Sequence, residues 1–341
     1  MKKYTIIIMT FLFVFPLKIM AMQVQDTSKS SVVMDLNSGR ILYQKNSNQQ
    51  RLIASTTKIM TAIIAIENAD INKKVVVGNE VLSMYGTNIY IEVGEEIKII
   101  DLLYGLLLRS GNDASETLAV AVSGSEKKFV ELMNAKAKEI GMSNTIFKNP
   151  HGLDEVTQNY STAADMAILS RYASKNKTYR KIVSTSKKTV STGKKTYLWY
   201  NRNKLLNNYE YCTGGKNGYT PSAGKTLVTT AKKDDLNLTI VTLHDPNEYQ
   251  THQSLYEFIF SKYKAYTIVD KNNFYIDKNF YDGNIYIKKS FVYPLTVEEL
   301  DKISTKIELL KKSKSSTKSK VGKIIISLDN KKIGTIPIYR K

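Results

Sequence analysis

The sequence predicts an α+β fold followed by a smaller β-rich unit, and three observations carry that expectation. Apolar residues recur at helical spacing in "KKFVELMNAKAKEIG" (127–141) and "STAADMAILSRYASK" (161–175). From 212 to 243 the pattern changes to strands, most plainly in "AGKTLVTTAKKDDLNLTIVTLH". After about residue 265 polar and apolar residues alternate through "YTIVDKNNFYIDKNFYDGNIYIKKSFVYPL" and "KVGKIIISLDNKKIGTIPIYRK".

The N-terminus, "MKKYTIIIMTFLFVFPLKIMA" (1–21), has the layout of a secretory signal: Lys2 and Lys3, an apolar run to Pro16, then small Ala21 as the cleavage position. The run is shorter than the roughly 20 residues a spanning helix needs. Next, "SVVMDLNSGRILYQK" (31–45) reads as two short strands around Asn37-Ser38-Gly39, and an apolar helix follows Ser55. "IDLLYGLLLRSGNDASETLAVAV" (100–122) reads as two helical runs broken at Ser110-Gly111-Asn112, and Gly141 stops the helix after it. The strand pair near 223–244 turns at Lys233-Asp234-Asp235, and "HQSLYEFIFSKY" closes this part as an amphipathic helix. In the β-rich tail, turns fall at Asp282-Gly283 and Asp329-Asn330. The expected division is therefore a signal (1–21), a main domain (22–265) and a β-rich domain (266–341).

Composition narrows the function. A chain of 341 residues with 42% hydrophobic and 24% charged residues buries a large core. Its net charge of +19 calls for an anionic partner or surroundings. Losing residues 1–21 removes three lysines and no acid, which leaves +16. An exported protein meets no genome, so nucleic acid is excluded as the partner. Cys212 is the only cysteine, so no intramolecular disulfide is possible. With His151, His244 and His252 far apart in sequence, no metal-ligand spacing appears and no cofactor is expected.

The helix after Ser55 poses a chemical question. "IASTTKIMTAIIAIENA" (53–69) is apolar, yet Lys58 sits inside it, where an unpaired ammonium is costly. Positions i and i+3 share a helix face, which brings Lys58 Nζ within reach of Ser55 Oγ. A serine hydroxyl needs a base, and a lysine serves once desolvation lowers its pKa from ~10.4 toward ~7–8. S-x-x-K alone is a weak signal. Here it is joined by Ser110-Gly111-Asn112 at the helix break and Lys216-Asn217-Gly218 before a strand, the set used by penicillin-binding proteins and related β-lactamases.

On these motifs, and on "GMSNTIFKNPHGLD", "YSTAADMA" and "YNRNKLL", nearly all of residues 30–341 resembles the D-alanyl-D-alanine carboxypeptidases of peptidase family S11. The resemblance implies a five-stranded antiparallel sheet with helices on both sides and an all-helical subdomain across the active cleft. It also implies removal of the terminal D-alanine from peptidoglycan stem peptides through an acyl-enzyme, and binding of β-lactams. Carried over residue by residue, Ser55 would be the nucleophile, Lys58 its base and Ser110 the proton shuttle. Asn112 would bind a substrate amide, and Lys216 would supply positive field. Asn217, Gly218, Tyr219 and Arg202 would line the substrate site, the N–H groups of Ser55 and Tyr219 forming an oxyanion hole and Arg202 meeting the terminal carboxylate. His151 is expected to shape the site as a hydrogen-bonded loop residue, and Cys212 to be a small buried one. Tyr85 and Tyr90 are candidates to line the cleft.

Two departures stand out: Asn217 replaces the threonine usual in the family, and the chain ends in a strand pattern, "IPIYRK", where many relatives carry a membrane-binding amphipathic helix. Other readings are a β-lactamase, a DD-endopeptidase or transpeptidase of the same fold, and a non-catalytic wall-binding protein. No E-x-x-L-N-like segment lies between the second and third motifs, which disfavours the lactamase; the complete motif set disfavours the last. The charge of the cleaved chain predicts electrostatic attachment to anionic wall polymer, with "KKSKSSTKSKVGK" (311–323), six lysines and no acid, as its densest basic segment. Replacing those lysines with glutamine is expected to lower the salt that releases the protein from purified walls, because exposed charge is screened as the Debye length falls from ~10 Å at 0.1 M to ~3 Å at 1 M. Release only by detergent would point to a retained apolar anchor instead.

Overall fold

A computed structural model describes residues 24–276, 284–310 and 320–340; the expected signal, the Asp282-Gly283 turn and residues 311–319 of the basic segment lie outside them. The expected five-stranded sheet is present. Its strands run in the order Ile41–Lys45, Ser30–Asp35, Leu236–Leu243, Gly224–Lys233, Cys212–Thr220, all antiparallel. Two strands from the start of the chain thus pair with three that follow the helices, and Cys212–Thr220 is left at an edge.

Alternation along the strands explains how helices cover both faces. Val32, Met34, Val228 and Val241 turn toward the large helical core. Their neighbours Val33, Leu227 and Ile240 turn the other way, onto Leu255, Tyr256 and Ile259 of the helix Glu248–Lys262. The first face carries the helix Lys58–Asn68, buried from Lys58 through Ala65, and is ringed by the helices Asn112–Ser123, Glu126–Ile140 and Ala163–Ala173. A helix apolar all round is a central helix, and that is where this one sits.

The break expected near residue 110 is sharp. The helix Ile99–Tyr104 widens into a π-turn over Gly105–Arg109, Ser110 turns left-handed at φ +69°, and Asn112 already opens the next helix. Among the elements absent from the sequence reading are the short helix Lys177–Val183, the hairpin Lys187–Ser191 with Thr196–Tyr200, and the strand pair Lys74–Val76 with Glu96–Lys98. The hairpin's alternation of Val190, Tyr197 and Trp199 inward with lysines and hydroxyls outward is a period-2 signal.

After the helix Glu248–Lys262, the strand Lys264–Val269 pairs with Phe291–Leu295. A separate four-stranded sheet has the order Ile285–Ile287, Lys331–Arg340, Lys320–Leu328, Ile303–Leu309. It closes on its own apolar cluster around Ile324, Ile326, Ile336 and Ile338. Asp329 and Asn330, at φ +49° and +62°, make the tight turn expected there. Among the described residues no helix is long and apolar enough to cross a membrane.

Arg40 joins the sheet to the C-terminal segment. Its guanidinium donates to Pro294 O at 2.6 Å and to both oxygens of Glu299, at 2.5 and 3.0 Å, and it lies 5.6 and 5.2 Å from the ring centres of Tyr263 and Tyr293. With 15% and 22% of the two side chains exposed, this pair is far from a surface contact. Arg40→Ala is expected to cost about 2 kcal/mol in urea unfolding, because it strands a half-buried carboxylate. Arg40→Lys should recover only part, since an ammonium cannot fork onto a carboxylate. An unchanged unfolding midpoint in Arg40→Ala would count against the contact.

Candidate active site

Ser55 lies in a single 3-10 turn, Ala54–Thr57, that leads into the helix Lys58–Asn68. Ala54 before it is held at φ +45°, a left-handed conformation that side chains disfavour. Gly152 makes that possible: itself at φ +86°, it packs so tightly that a Cβ there would fall 2.0 Å from Ala54 O. From the other side the strand Cys212–Thr220 comes just as near. A Cβ on Gly218 would lie 2.7 Å from the Ser55 nitrogen and 2.7 Å from Thr226 Oγ1. The bare backbone of the third motif therefore lies against the start of the first, beside the Ser55 N–H.

Lys58 is fully buried, and its Nζ has three partners: Asn112 Oδ1 at 2.7 Å, the His151 carbonyl at 2.6 Å and Ser55 Oγ at 3.1 Å. Loss of water pushes it down to about 7; Asp113 and Glu116 oppose that, and the Arg202 charge assists it. A neutral amine has two N–H bonds and one lone pair. The two oxygens that can only accept, on Asn112 and His151, take both N–H bonds. The lone pair is then left for the Ser55 hydroxyl, the arrangement a general base requires.

The second and third motifs meet in the same way. Ser110, 5% exposed, accepts a hydrogen bond from Lys216 Nζ at 3.0 Å. Lys216 also donates to Asn217 O at 2.5 Å. It is 1% exposed and held well below the ordinary lysine range, first by burial and then by the charges of Lys58 and Arg202. Asn112 is fixed at both ends, its Nδ2 donating to Tyr85 O at 2.7 Å. Arg202 is exposed and reaches Thr87 Oγ1 at 3.2 Å. Tyr219 follows Gly218 on the edge strand, 65% exposed, and Asn217 is half-buried.

Several site residues escaped sequence reasoning. Asp113 is the largest omission: its carboxylate accepts the N–H groups of Ile89, Tyr90, Ile91 and Ala114. It thereby pins the segment that brings Tyr85, Thr87 and Tyr90 to the site. An acid in the first turn of a helix reads as a dipole partner, and nothing in the spacing says that it reaches back 24 residues. The backbone carbonyls of Tyr85 and His151 leave no side-chain signal at all. Cys212 is half-buried, with its thiol pushed up by burial and so unreactive.

Glu116, Glu126 and His151 come close enough to raise the question of a cation. His151 Nδ1 accepts the Leu153 N–H at 3.0 Å, and burial lowers the ring to about 3, so it is neutral. Its proton is therefore on Nε2, which faces Glu116 and has no lone pair to give.

A family model described as D-alanyl-D-alanine carboxypeptidase (peptidase S11) matches residues 18–247, and one described as the C-terminal domain of penicillin-binding protein 5 matches residues 263–341. The chain is similar to the D-alanyl-D-alanine carboxypeptidase DacF of Bacillus subtilis, 32% identical over 335 residues that span 92% of this chain and 85% of the relative. It is also similar to DacA of Haemophilus influenzae, 29% identical over 353 residues, 91% of this chain and 84% of the relative. Among solved structures, penicillin-binding protein 5 from Haemophilus influenzae aligns with a TM-score of 0.76 at 26% identity, covering 93% of this chain and 97% of its own. A D-alanyl-D-alanine carboxypeptidase from Mycobacterium tuberculosis aligns with a TM-score of 0.67 at 29% identity, covering 71% and 95%.

The contact at Gly218 can be tested directly. Gly218→Ala sets a methyl group against the Ser55 nitrogen, so the strand and the serine turn must part. A misplacement of ~1 Å at a reacting centre costs on the order of 10²-fold. Labelling of the variant by a fluorescent penicillin is expected to slow by at least about that factor. Labelling at the normal rate would show that the strand does not position the serine.

Proposed function

The chain belongs to the peptidase S11 family of D-alanyl-D-alanine carboxypeptidases, and from that membership and the surroundings of Lys58 we propose the roles of its site residues. It is a serine-type carboxypeptidase that removes the terminal D-alanine from peptidoglycan stem peptides. Ser55 Oγ attacks the carbonyl of the penultimate D-alanine while its proton passes to Lys58 Nζ. The carbonyl oxygen, now an alkoxide, is held by the N–H groups of Ser55 and Tyr219. When the intermediate collapses, the C–N bond breaks and the proton held by Lys58 passes by way of Ser110 to the leaving nitrogen, which frees the amine again. Water then attacks the ester and gives a proton to Lys58; the bond from the carbonyl carbon to Ser55 Oγ breaks, and that proton returns to Ser55. A β-lactam enters by the same first step, but its opened ring stays attached to the acyl group.

The leaving residue carries a carboxylate, and Arg202, Asn217 and Lys216 are the polar groups at that end. Arg202 is exposed and forked, suited to an incoming carboxylate. Asn217 in place of threonine offers an amide where relatives offer a hydroxyl, so affinity at this position should differ from theirs. Tyr85, Tyr90 and Tyr219 supply exposed aromatic surface at the mouth.

Export through residues 1–21 and attachment to anionic wall polymers complete the reading, supported by the charge pattern. A division into a catalytic domain (22–265) and a β-rich domain (266–341) is supported by the third apolar cluster, all of whose members follow residue 267. The β-rich unit would present the enzyme to the wall.

One observation carries the mechanism: the two N–H bonds of Lys58 have dedicated acceptors and its remaining position faces Ser55. Ser55→Ala is therefore expected to abolish release of D-alanine from a soluble pentapeptide and to remove the penicillin adduct in intact-mass analysis. Lys58→Arg keeps a cation that does not deprotonate, and should cost about 10³-fold or more in acylation. The wild-type rate should rise with pH through about 7, since the base is active only after losing its proton. An adduct on another residue, or near-normal acylation by the arginine variant, would sink the assignment.

A further inference from the structure

Glu116 lies one turn beyond Asn112 on the helix Asn112–Ser123. It is 4% exposed, and its Oε1 is sealed from solvent with no hydrogen-bond partner among the described residues. A buried carboxyl oxygen left unpaired requires a reason. Its neighbour is His151 Nε2 at 3.6 Å, too long for a hydrogen bond and at packing distance. His151 is the residue whose carbonyl takes one of the Lys58 N–H bonds at 2.6 Å, and its ring is locked from the far side by the Leu153 N–H. Glu116, His151 and Lys58 therefore form a continuous packed series that ends at the base.

An acid is a hazardous residue to place there, because a carboxylate beside Lys58 would hold the lysine in its protonated, inactive form. Resting on the reading of Lys58 as the base, we propose that Glu116 is a positioning residue, a buried side chain packed behind His151 that backs the loop whose carbonyl holds Lys58. The surroundings keep it uncharged. Burial raises the Glu116 carboxyl to about 8, helped by Glu126 from the first turn of the helix Glu126–Ile140 and Glu80 from the turn Asn79–Ser83, and opposed by Lys58. Lys58 itself is faced by Asp113 and Glu116 from their shared helix, by Arg202, and by Lys216 from the edge strand. His151 stays neutral throughout. At pH 7 Glu116 thus carries its proton. Above about 8 it ionises and pulls Lys58 back toward the cation, which stretches the rise of acylation with pH.

The two outer acids give the test its sign. Glu116→Gln, an isostere of the protonated acid, should lower the midpoint of the pH profile for fluorescent-penicillin acylation by about half a unit and restore single-proton steepness. Glu126→Gln should move the midpoint the other way, because Glu116 then ionises more readily. A nearby negative charge acting on Lys58 directly would shift it down in both variants. In the double variant the Glu126 effect should vanish. The proposal fails if Glu116→Gln leaves the midpoint in place, or if Glu126→Gln lowers it. It fails in favour of a cation site if EDTA or added zinc moves the wild-type profile. If the wild type takes no label at Ser55 at any pH, the assignment of Lys58 as base is wrong as well.

Discussion

A lysine in the middle of an apolar helix is tolerable only where its nitrogen is fully hydrogen-bonded or has given up its charge, and at Lys58 both conditions hold. Removing water disfavours the ammonium, and the lowered pKa is the direct expression of that cost. The acceptors then decide what the neutral amine can do. Asn112 comes from the helix break, His151 from the loop that Gly152 presses against Ala54, and Ser55 from the turn just before the lysine. Two remote segments and the adjoining turn converge on one nitrogen atom, and the central position of the helix Lys58–Asn68 in the core is what allows them to do so.

Holding those segments demands unfavourable backbone. Ala54 and Ser110 both sit at positive φ without being glycine, and each is at or beside a hydroxyl of the site. Such conformations cost of order 1–3 kcal/mol each and persist only where packing determines them. At Ala54 the packing is supplied by Gly152, and at Ser110 by the hydrogen bond from Lys216 and by the buried π-turn before it. The Asp113 carboxylate adds a third constraint, gathering the N–H groups of the same loop whose Tyr85 and Thr87 carbonyls take bonds from Asn112.

This division also explains what could be read from the sequence. The strands around Asn37-Ser38-Gly39 and Lys233-Asp234-Asp235, the helices and the three motifs were legible, because alternation, helical period and Gly/Asn/Asp turns are local properties. The resemblance implied a five-stranded antiparallel sheet, but the pairing of Ser30–Asp35 with Leu236–Leu243 was not legible, since it joins segments about 200 residues apart. Backbone acceptors such as His151 O and Tyr85 O were not legible at all. Nor does anything local in "NDASETLAVAV" mark Glu116 as the acid over which the fold closes.

Lys58 and Lys216 together raise a final point about charge. Both are buried, the Lys58 charge lowers the affinity of Lys216 for a proton, and Arg202 opposes the charge of both. Two ammonium groups cannot be held comfortably in so dry a pocket, so in the free enzyme the pair has reason to share less than two protons.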